Sequence, residues 1–148
     1  MSSKEVMFDQ QYSERRVLVT GDTGFKGSWL CRWLEMLDAT VGGFSLYVPS
    51  QPSHYELLKP ACQQWKGDVR DLTVLQSVFK SFAPEIVFHL AAQPLVRTSY
   101  ELPLETLSTN IMGTANVLKA GSETNSVRAI VVVTTDKCYQ NLENTRGY

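Results

Sequence analysis

Residues 15–34 constrain the fold of this chain more than any other stretch. Arg15-Arg16-Val17-Leu18-Val19-Thr20 is a short run with apolar, β-branched character. Gly21-Asp22-Thr23-Gly24-Phe25-Lys26-Gly27 then spaces three glycines three apart, and Ser28-Trp29-Leu30-Cys31-Arg32-Trp33-Leu34 continues with helical spacing. Strand, glycine turn and helix together are the context in which a glycine motif binds a dinucleotide. Gly21 would allow the tight turn, Gly24 would let the backbone approach a pyrophosphate, and Gly27 would let helix and strand pack closely. The first N–H groups of the helix would face the phosphates. A purely structural glycine turn is the competing reading.

The rest of the composition narrows the classes. A chain of 148 residues is about one domain and can bury a core. A net charge of −1 gives no bulk attraction to nucleic acid or to an anionic membrane. Cys31, Cys62 and Cys138 are far apart and odd in number, which points to reduced thiols in a cytoplasmic setting. With only His54 and His89 as histidines, no metal-ligand spacing is present. Residues 1–14 read as a flexible polar tail, and no apolar run approaches the ~20 residues that span a bilayer.

Along the chain, Trp29, Leu30, Trp33, Leu34 and Leu37 recur at helical spacing, and both tryptophans are expected to pack on a sheet. Val41–Leu46 is a second strand. Its end, Gly43-Phe44-Ser45-Leu46-Tyr47, lacks the carboxylate that commonly holds the adenosine ribose of NAD. The choice between NAD and NADP is therefore open; Ser45 could bond a ribose hydroxyl or be a solvated loop serine. Three prolines make residues 48–63 mostly loop, with one helical turn at Tyr55–Leu58 and a surface His54. A weak third strand ends at Gly67, after which Asp68 is a candidate partner for an adenine amino group and Asp71 the N-cap of a helix marked by Leu72, Leu75, Phe79 and Phe82.

Ile86-Val87-Phe88 is a fourth strand, followed by His89-Leu90-Ala91-Ala92-Gln93-Pro94. Two alanines at the carboxyl end of a strand leave room for a flat ligand, or simply for tight turn packing. His89 reads as a satisfied buried histidine. Residues 95–102 read as a loop in which Arg97, Ser99 and Tyr100 could meet a polar substrate. Pro103 suits a first helical turn, and Leu107, Ile111, Ala115 and Leu118 mark one face of the helix it opens. Asn110 on that helix needs partners, and Gly113 should admit another backbone. Ala129–Val133 is a continuous apolar strand that ends in Thr134-Thr135-Asp136-Lys137-Cys138-Tyr139. A hydroxyl, a carboxylate and an ammonium at such a strand end are a catalytic address in this class. Right-handed crossovers give an α/β, doubly wound parallel sheet of about five strands in the order 3-2-1-4-5. The apolar last strand at an open edge points to a longer protein.

These motifs resemble the N-terminal part of an extended short-chain dehydrogenase/reductase, with an incomplete Rossmann-type sheet. Thr20-Gly21-Asp22-Thr23-Gly24-Phe25-Lys26-Gly27 stands in the place of that superfamily's Thr-Gly-x-x-Gly-x-x-Gly. Gly24–Leu30, His89–Arg97 and Asp136–Tyr139 are similar to the nucleotide-sugar 4,6-dehydratases, in particular their CDP-glucose branch. Gly67–Asp71 and Thr109–Thr114 are similar to segments across the superfamily. The resemblance implies a cofactor, NAD with NADP not excluded, held by Gly21, Thr23, Gly24, Phe25, Lys26 and Gly27 at the pyrophosphate. It places Ser45 near the ribose, Asp68 and Val69 at adenine, and Leu90, Ala91, Ala92, Gln93 and Thr109 along the cofactor channel. Asn110 would support the active-site backbone. Thr135 would bond the sugar 4-hydroxyl, Asp136 would protonate the departing 6-hydroxyl, and Lys137 would help remove the C5 proton. The implied substrate is a nucleotide sugar such as CDP-glucose, the product a 4-keto-6-deoxy sugar, and the full-length protein a cytoplasmic homodimer.

Departures carry equal weight. The family's Tyr-x-x-x-Lys pair is read as absent and expected beyond Tyr148, together with the substrate domain; residues 15–148 would then be the first part of the cofactor domain, inactive alone. Asp22 stands where relatives often have histidine, either placing a negative charge by the phosphates or pointing harmlessly to solvent. An epimerase or GDP-mannose dehydratase, a non-catalytic NAD(P)-binding module, and a remnant without function are the other readings.

Overall fold

The computed structural model describes residues 7–135, 138–140 and 143. Strands β1 (Arg16–Thr20), β2 (Thr40–Ser45), β3 (Gln63–Lys66), β4 (Ile86–His89) and β5 (Ala129–Val132) form one parallel sheet ordered β3-β2-β1-β4-β5, as expected. Helices α1 (Phe25–Met36), α2 (His54–Leu58), α3 (Leu72–Phe82), α4 (Val96–Glu101), α5 (Pro103–Leu107) and α6 (Gly113–Ser122) make the connections, with a π turn at Ser108–Met112. The order reverses between β1 and β4, whose register pairs Thr20 with His89. The carboxyl ends of these two strands are thus the switch point at which open α/β sheets bind ligands.

Alternation along the strands builds two cores. On one face Leu18, Phe44 and Val87 meet Leu75, Val78, Phe79 and Phe82 of α3 and Val117 and Ala120 of α6. On the other, Val17, Val19 and Val41 meet Cys31 and Leu34 of α1. Each fully buried large side chain contributes roughly 1.5–3 kcal/mol. Helix α3 begins where expected: the Asp71 side chain accepts from the Val74 N–H at 3.1 Å.

Three expectations need correction. Trp29 and Trp33 are about half exposed, while Gly27, Ser28, Cys31 and Leu34 face the sheet. The glycine turn draws α1 so close to β1 that only small side chains fit beneath its first turns. The tryptophans pack sideways instead, Trp29 on His54 and Trp33 on Phe8. Residues 95–102 are not a loop but contain α4, where Arg97 pairs with Glu101 at 2.9 Å and Ser99 Oγ donates to the Val96 carbonyl. Leu107, Ile111, Ala115 and Leu118 are exposed; α6 is buried through Gly113, Val117, Ala120 and Gly121. The π turn inserts one residue per turn and rotates the face that follows it, so a pattern read across residue 110 predicts the wrong side. What comes nearest Gly113 is the Val69 side chain, 2.6 Å from where a Cβ would stand, with the Val69 backbone behind it at 3.8 Å.

The described part of the expected tail also packs. A 3₁₀ turn at Met7–Gln10 sets Phe8 edge-on against Tyr12 and Trp33, and Tyr12 lies 6.3 Å from the Phe88 ring.

The α1–β1 junction gives the first prediction. A Cβ on Gly27 would stand 2.1 Å from the Gly21 carbonyl oxygen, whereas one on Gly24 would meet only that oxygen, at 3.2 Å. Gly27→Ala should therefore lose about 3 kcal/mol in urea unfolding, and Gly24→Ala under about 1 kcal/mol. Equal midpoints for the two variants would show that the junction does not depend on this contact.

Candidate functional site

The site begins with the turn after β1. Gly21 has φ +75°, and a Cβ there would lie 2.7 Å from the Ala91 nitrogen, so its left-handed backbone and the touching β4 turn both require glycine. Its N–H donates to the Phe44 carbonyl and its carbonyl accepts from Gly24 N–H, which closes the turn. Gly24 is the N-cap of α1 and supplies no side-chain cap. Its face is open apart from the Gly21 oxygen. An uncapped twelve-residue helix with a glycine floor fits a dinucleotide pyrophosphate, because the helix end carries N–H groups and positive dipole. Phe25 and Lys26, next in line, are exposed. Thr23 is nearly buried, and its hydroxyl is committed to the Tyr47 carbonyl at 2.8 Å.

Asp22 follows neither expected alternative. It is fully buried and turned toward β2 and β3, where Oδ1 accepts from Ser45 Oγ at 2.6 Å and Oδ2 from Gln64 Nε2 at 2.7 Å. Burial pushes its pKa up, partly offset by these two donors. Ser45, expected at the ribose, donates to Asp22 and accepts from Thr23 N–H at 3.3 Å.

Asp68, the adenine candidate, forms a three-contact fork with Arg70, closest at 2.6 Å, which holds its carboxyl below the usual range. Val69 lies 5% exposed in the core against Gly113, not on an open surface. Leu90, Ala91 and Gln93 are half-buried along the β4 turn, Ala92 is exposed, and Thr109 is half-buried in the π turn. Asn110, which needs partners, finds them on Gln93: its Oδ1 accepts from the Gln93 N–H at 2.8 Å and its Nδ2 donates to the Gln93 carbonyl at 3.0 Å. Thr135 is exposed beyond β5, at the same end of the sheet. Asp136 and Lys137 lie outside the described residues.

The sequence does contain one spacing of the Tyr-x-x-x-Lys kind. Tyr55 and Lys59 do stand four apart, so Tyr-x-x-x-Lys is not absent. The pair sits on α2, after β2, with Lys59 in a left-handed cap at φ 44° and exposed. Tyr55 is half-buried, its pKa raised first by burial and then by the nearby Asp22. Since β3 and β5 are opposite edges of the sheet, α2 on the β2 side is remote from Thr135. His54 of the same helix is half-buried rather than a free surface residue, between Phe25 and Trp29 and 2.8 Å from Ser28 Oγ.

A buried polar chain was not foreseen. His89 is 2% exposed; Nδ1 meets Thr20 Oγ1 at 2.7 Å and Nε2 meets Thr114 Oγ1 at 3.0 Å. The Thr114 hydroxyl spends its hydrogen on the Asn110 carbonyl at 2.7 Å, so it accepts from His89 Nε2–H. Nδ1 then accepts from Thr20, whose oxygen takes the Ala91 N–H at 3.3 Å. His89 is neutral in this chain, and burial lowers its pKa to about 4. The signal available in sequence was a polar residue ending each of two apolar strands.

Among the described residues no cluster of His, Cys, Asp or Glu could hold a metal ion, and no helix is long and apolar enough to cross a membrane. The fold is a Rossmann-type parallel sheet with a glycine turn and an uncapped helix N-terminus at its switch point.

Comparison with known proteins gives the family. The profile of GDP-mannose 4,6 dehydratase matches residues 18–146, and the chain belongs to that family. CDP-glucose 4,6-dehydratase of Salmonella typhimurium is 48% identical over 145 residues, 96% of this chain and 40% of that protein. A dTDP-glucose 4,6-dehydratase of Neisseria meningitidis is 33% identical over 88% of this chain and 40% of its own. Among solved structures, the epimerase Mth375 of Methanothermobacter thermautotrophicus superposes with a TM-score of 0.83 at 29% identity, covering 99% of this chain and 44% of that one. A UDP-glucose-4-epimerase of Stenotrophomonas maltophila with bound NAD gives 0.78 at 25% identity, covering 89% and 40%. The chain thus spans about two-fifths of the curated relatives it matches.

The buried histidine sets an acid limit. A folded pKa of about 4 lies below the ordinary 6.5, so the unfolded chain binds the extra proton between these values. The contribution is fully present above pH 6.5 and is lost as pH falls toward 4, about 3 kcal/mol in all. Urea unfolding of His89→Gln should lack most of this slope between pH 6.5 and 4. The same slope in both proteins would assign acid sensitivity to other groups.

Proposed function

We propose that this chain is the N-terminal part of the cofactor domain of a nucleotide-sugar 4,6-dehydratase acting on CDP-glucose, with NAD as internal redox carrier. The observation that carries this reading is the 48% identity to a CDP-glucose 4,6-dehydratase over nearly the whole chain. The fold supports it by setting the glycine cradle, the β4 turn and residue 135 at one end of the sheet. NAD rather than NADP fits a ribose subsite built on Ser45 and a buried carboxylate.

The bound nicotinamide supplies a hydride acceptor for C4 and, later, a hydride donor for C6. The glycine turn and the α1 N-terminus hold the pyrophosphate. Asn110 fixes the Gln93 backbone beside the channel, and the Thr20–His89–Thr114 chain holds the Ala91 N–H. Thr135 bonds the sugar 4-hydroxyl, Asp136 protonates the leaving 6-hydroxyl, and Lys137 assists removal of the C5 proton. Tyr55 and Lys59 take no part, so the base acting at the 4-hydroxyl is not supplied by these residues and the chain alone does not turn over. The exposed apolar row Leu104, Leu107, Ile111 and Leu118 on α5, the π turn and α6 supports a homodimer in the whole protein.

The epimerase neighbours favour a second reading, an epimerase of a nucleotide sugar. Three measurements test the reading, and the last separates the two cases. Titration calorimetry of the chain with NAD should show micromolar binding, and CDP-glucose with NAD should give no 4-keto-6-deoxy product. Joined to the remaining part of the Salmonella typhimurium relative, the chain should convert CDP-glucose to that product, and Asp136→Asn should cut kcat by about 100-fold or more. Epimerised sugar without dehydration, or full activity of Asp136→Asn, would sink the dehydratase assignment.

A further inference from the structure

The end of β2 carries no acidic side chain, yet a carboxylate lies there. Asp22 leaves the glycine turn and reaches back along β2, where its Oδ2 stands 2.4 Å from the position a Cβ on Gly43 would occupy. Gly43 is therefore what makes room for it. The carboxylate is covered completely, and its two visible partners are both donors, Ser45 Oγ at 2.6 Å and Gln64 Nε2 at 2.7 Å. That pattern suits an ionised carboxylate, which only accepts.

Ser45 is the half-buried residue above it. A serine hydroxyl has one hydrogen and two lone pairs. The hydrogen is spent on Asp22, and one lone pair takes the Thr23 N–H at 3.3 Å. Only a lone pair is left for a ligand. Ser45 can accept from a hydroxyl but cannot donate to a phosphate oxygen. The buried negative charge one hydrogen bond below adds repulsion toward any anion placed there, because like charges brought together across a poorly solvated site cost several-fold in affinity.

We propose that Asp22, acting through Ser45, makes this unit select a dinucleotide with a free ribose 2′-hydroxyl over one with a 2′-phosphate. The missing strand-end carboxylate is replaced by one delivered from the turn. Asp22 is a positioning residue and Ser45 the group that meets the ribose. This inference rests on the dinucleotide-binding reading and adds the residue pair that sets its preference.

The test is calorimetric titration of the 148-residue chain with NAD and with NADP, for the parent, Asp22→Asn and Ser45→Ala, each checked for a cooperative melt. The parent should bind NAD at least about tenfold more tightly than NADP. Asp22→Asn removes the charge whichever way the new amide turns, and should shrink that ratio about tenfold, mainly by tightening NADP. Ser45→Ala should weaken NAD at least threefold without tightening NADP. If the parent binds neither dinucleotide, the dinucleotide reading and this inference fall together. If the parent binds NAD but shows no preference, or folded Asp22→Asn keeps the parent's ratio, this inference alone is overturned. Should Asp22→Asn not fold, Ser45→Ala decides: unchanged NAD affinity rejects the proposal.

Discussion

The contact between Gly21 and Gly27 is the constraint from which the rest of the site follows. Because a Cβ on Gly27 would stand 2.1 Å from the Gly21 carbonyl oxygen, no side chain can stand at position 27, where α1 crosses the end of β1. The helix therefore begins directly over the strand end, and its uncapped N-terminus opens at the switch point between β1 and β4. The same closeness decides which side chains can lie under α1. Ser28 and Cys31 fit, and the two tryptophans do not. Cys31 is consequently sealed beside Cys62, and the neighbouring thiol together with burial raises its pKa. A thiol so placed is a packing group rather than a nucleophile.

The second organising element is the polar chain from Thr20 through His89 and Thr114 to the Asn110 carbonyl. It ties the ends of two adjacent strands to the helix that crosses over them. Each member has its donor and acceptor roles fixed by its neighbours, so the chain has one arrangement. A fully satisfied buried network of this kind specifies geometry more than it adds stability. Here it specifies the turn after β4. Thr20 holds the Ala91 N–H, and Asn110 holds both backbone groups of Gln93, so this turn is fixed at two points two residues apart. Asn110 lies in the π turn, and Gly113 just after it passes over Val69. π turns are commonly retained where they place a functional side chain.

The strand order and the turn were legible because most strands here are short apolar runs bounded by turn residues; β3, Gln63–Lys66, is largely polar and gave only a weak signal. Those are local signals. The Asp71 cap was legible for the same reason, whereas Asn110 was legible only as a residue needing partners and not as the partner of Gln93. What failed depended on contacts between distant residues. The apolar stripe through Leu107 and Ile111 has a regular helical period, but the π turn breaks the register on which that period relies. Trp29 and Trp33 were misplaced because hydrophobicity says that a residue prefers burial, not that space exists for it. Asp22 was misjudged because its partners, Ser45 and Gln64, lie on two other strands. Tyr55 and Lys59 show the converse: a motif spacing can be present while the fold carries it to the wrong side of the sheet.

Charge around the cradle closes the argument. A chain with net charge −1 has no general attraction for a ligand carrying two phosphates. Of the two carboxylates nearest the expected cofactor path, one is paired with a cation and the other keeps its charge but faces away from the phosphates. Asp68 is held in the Arg70 fork, and Asp22 is turned away behind Ser45 and Gln64. What remains directed at the phosphates is the open N-terminus of α1, with the exposed Lys26 in its first turn. The attraction is therefore built from backbone dipoles and one nearby cation, and it acts within about one helical turn. Such a field orients a pyrophosphate at close range without drawing polyanions from a distance. On the proposed reading, that is how a unit of nearly balanced charge would favour a dinucleotide.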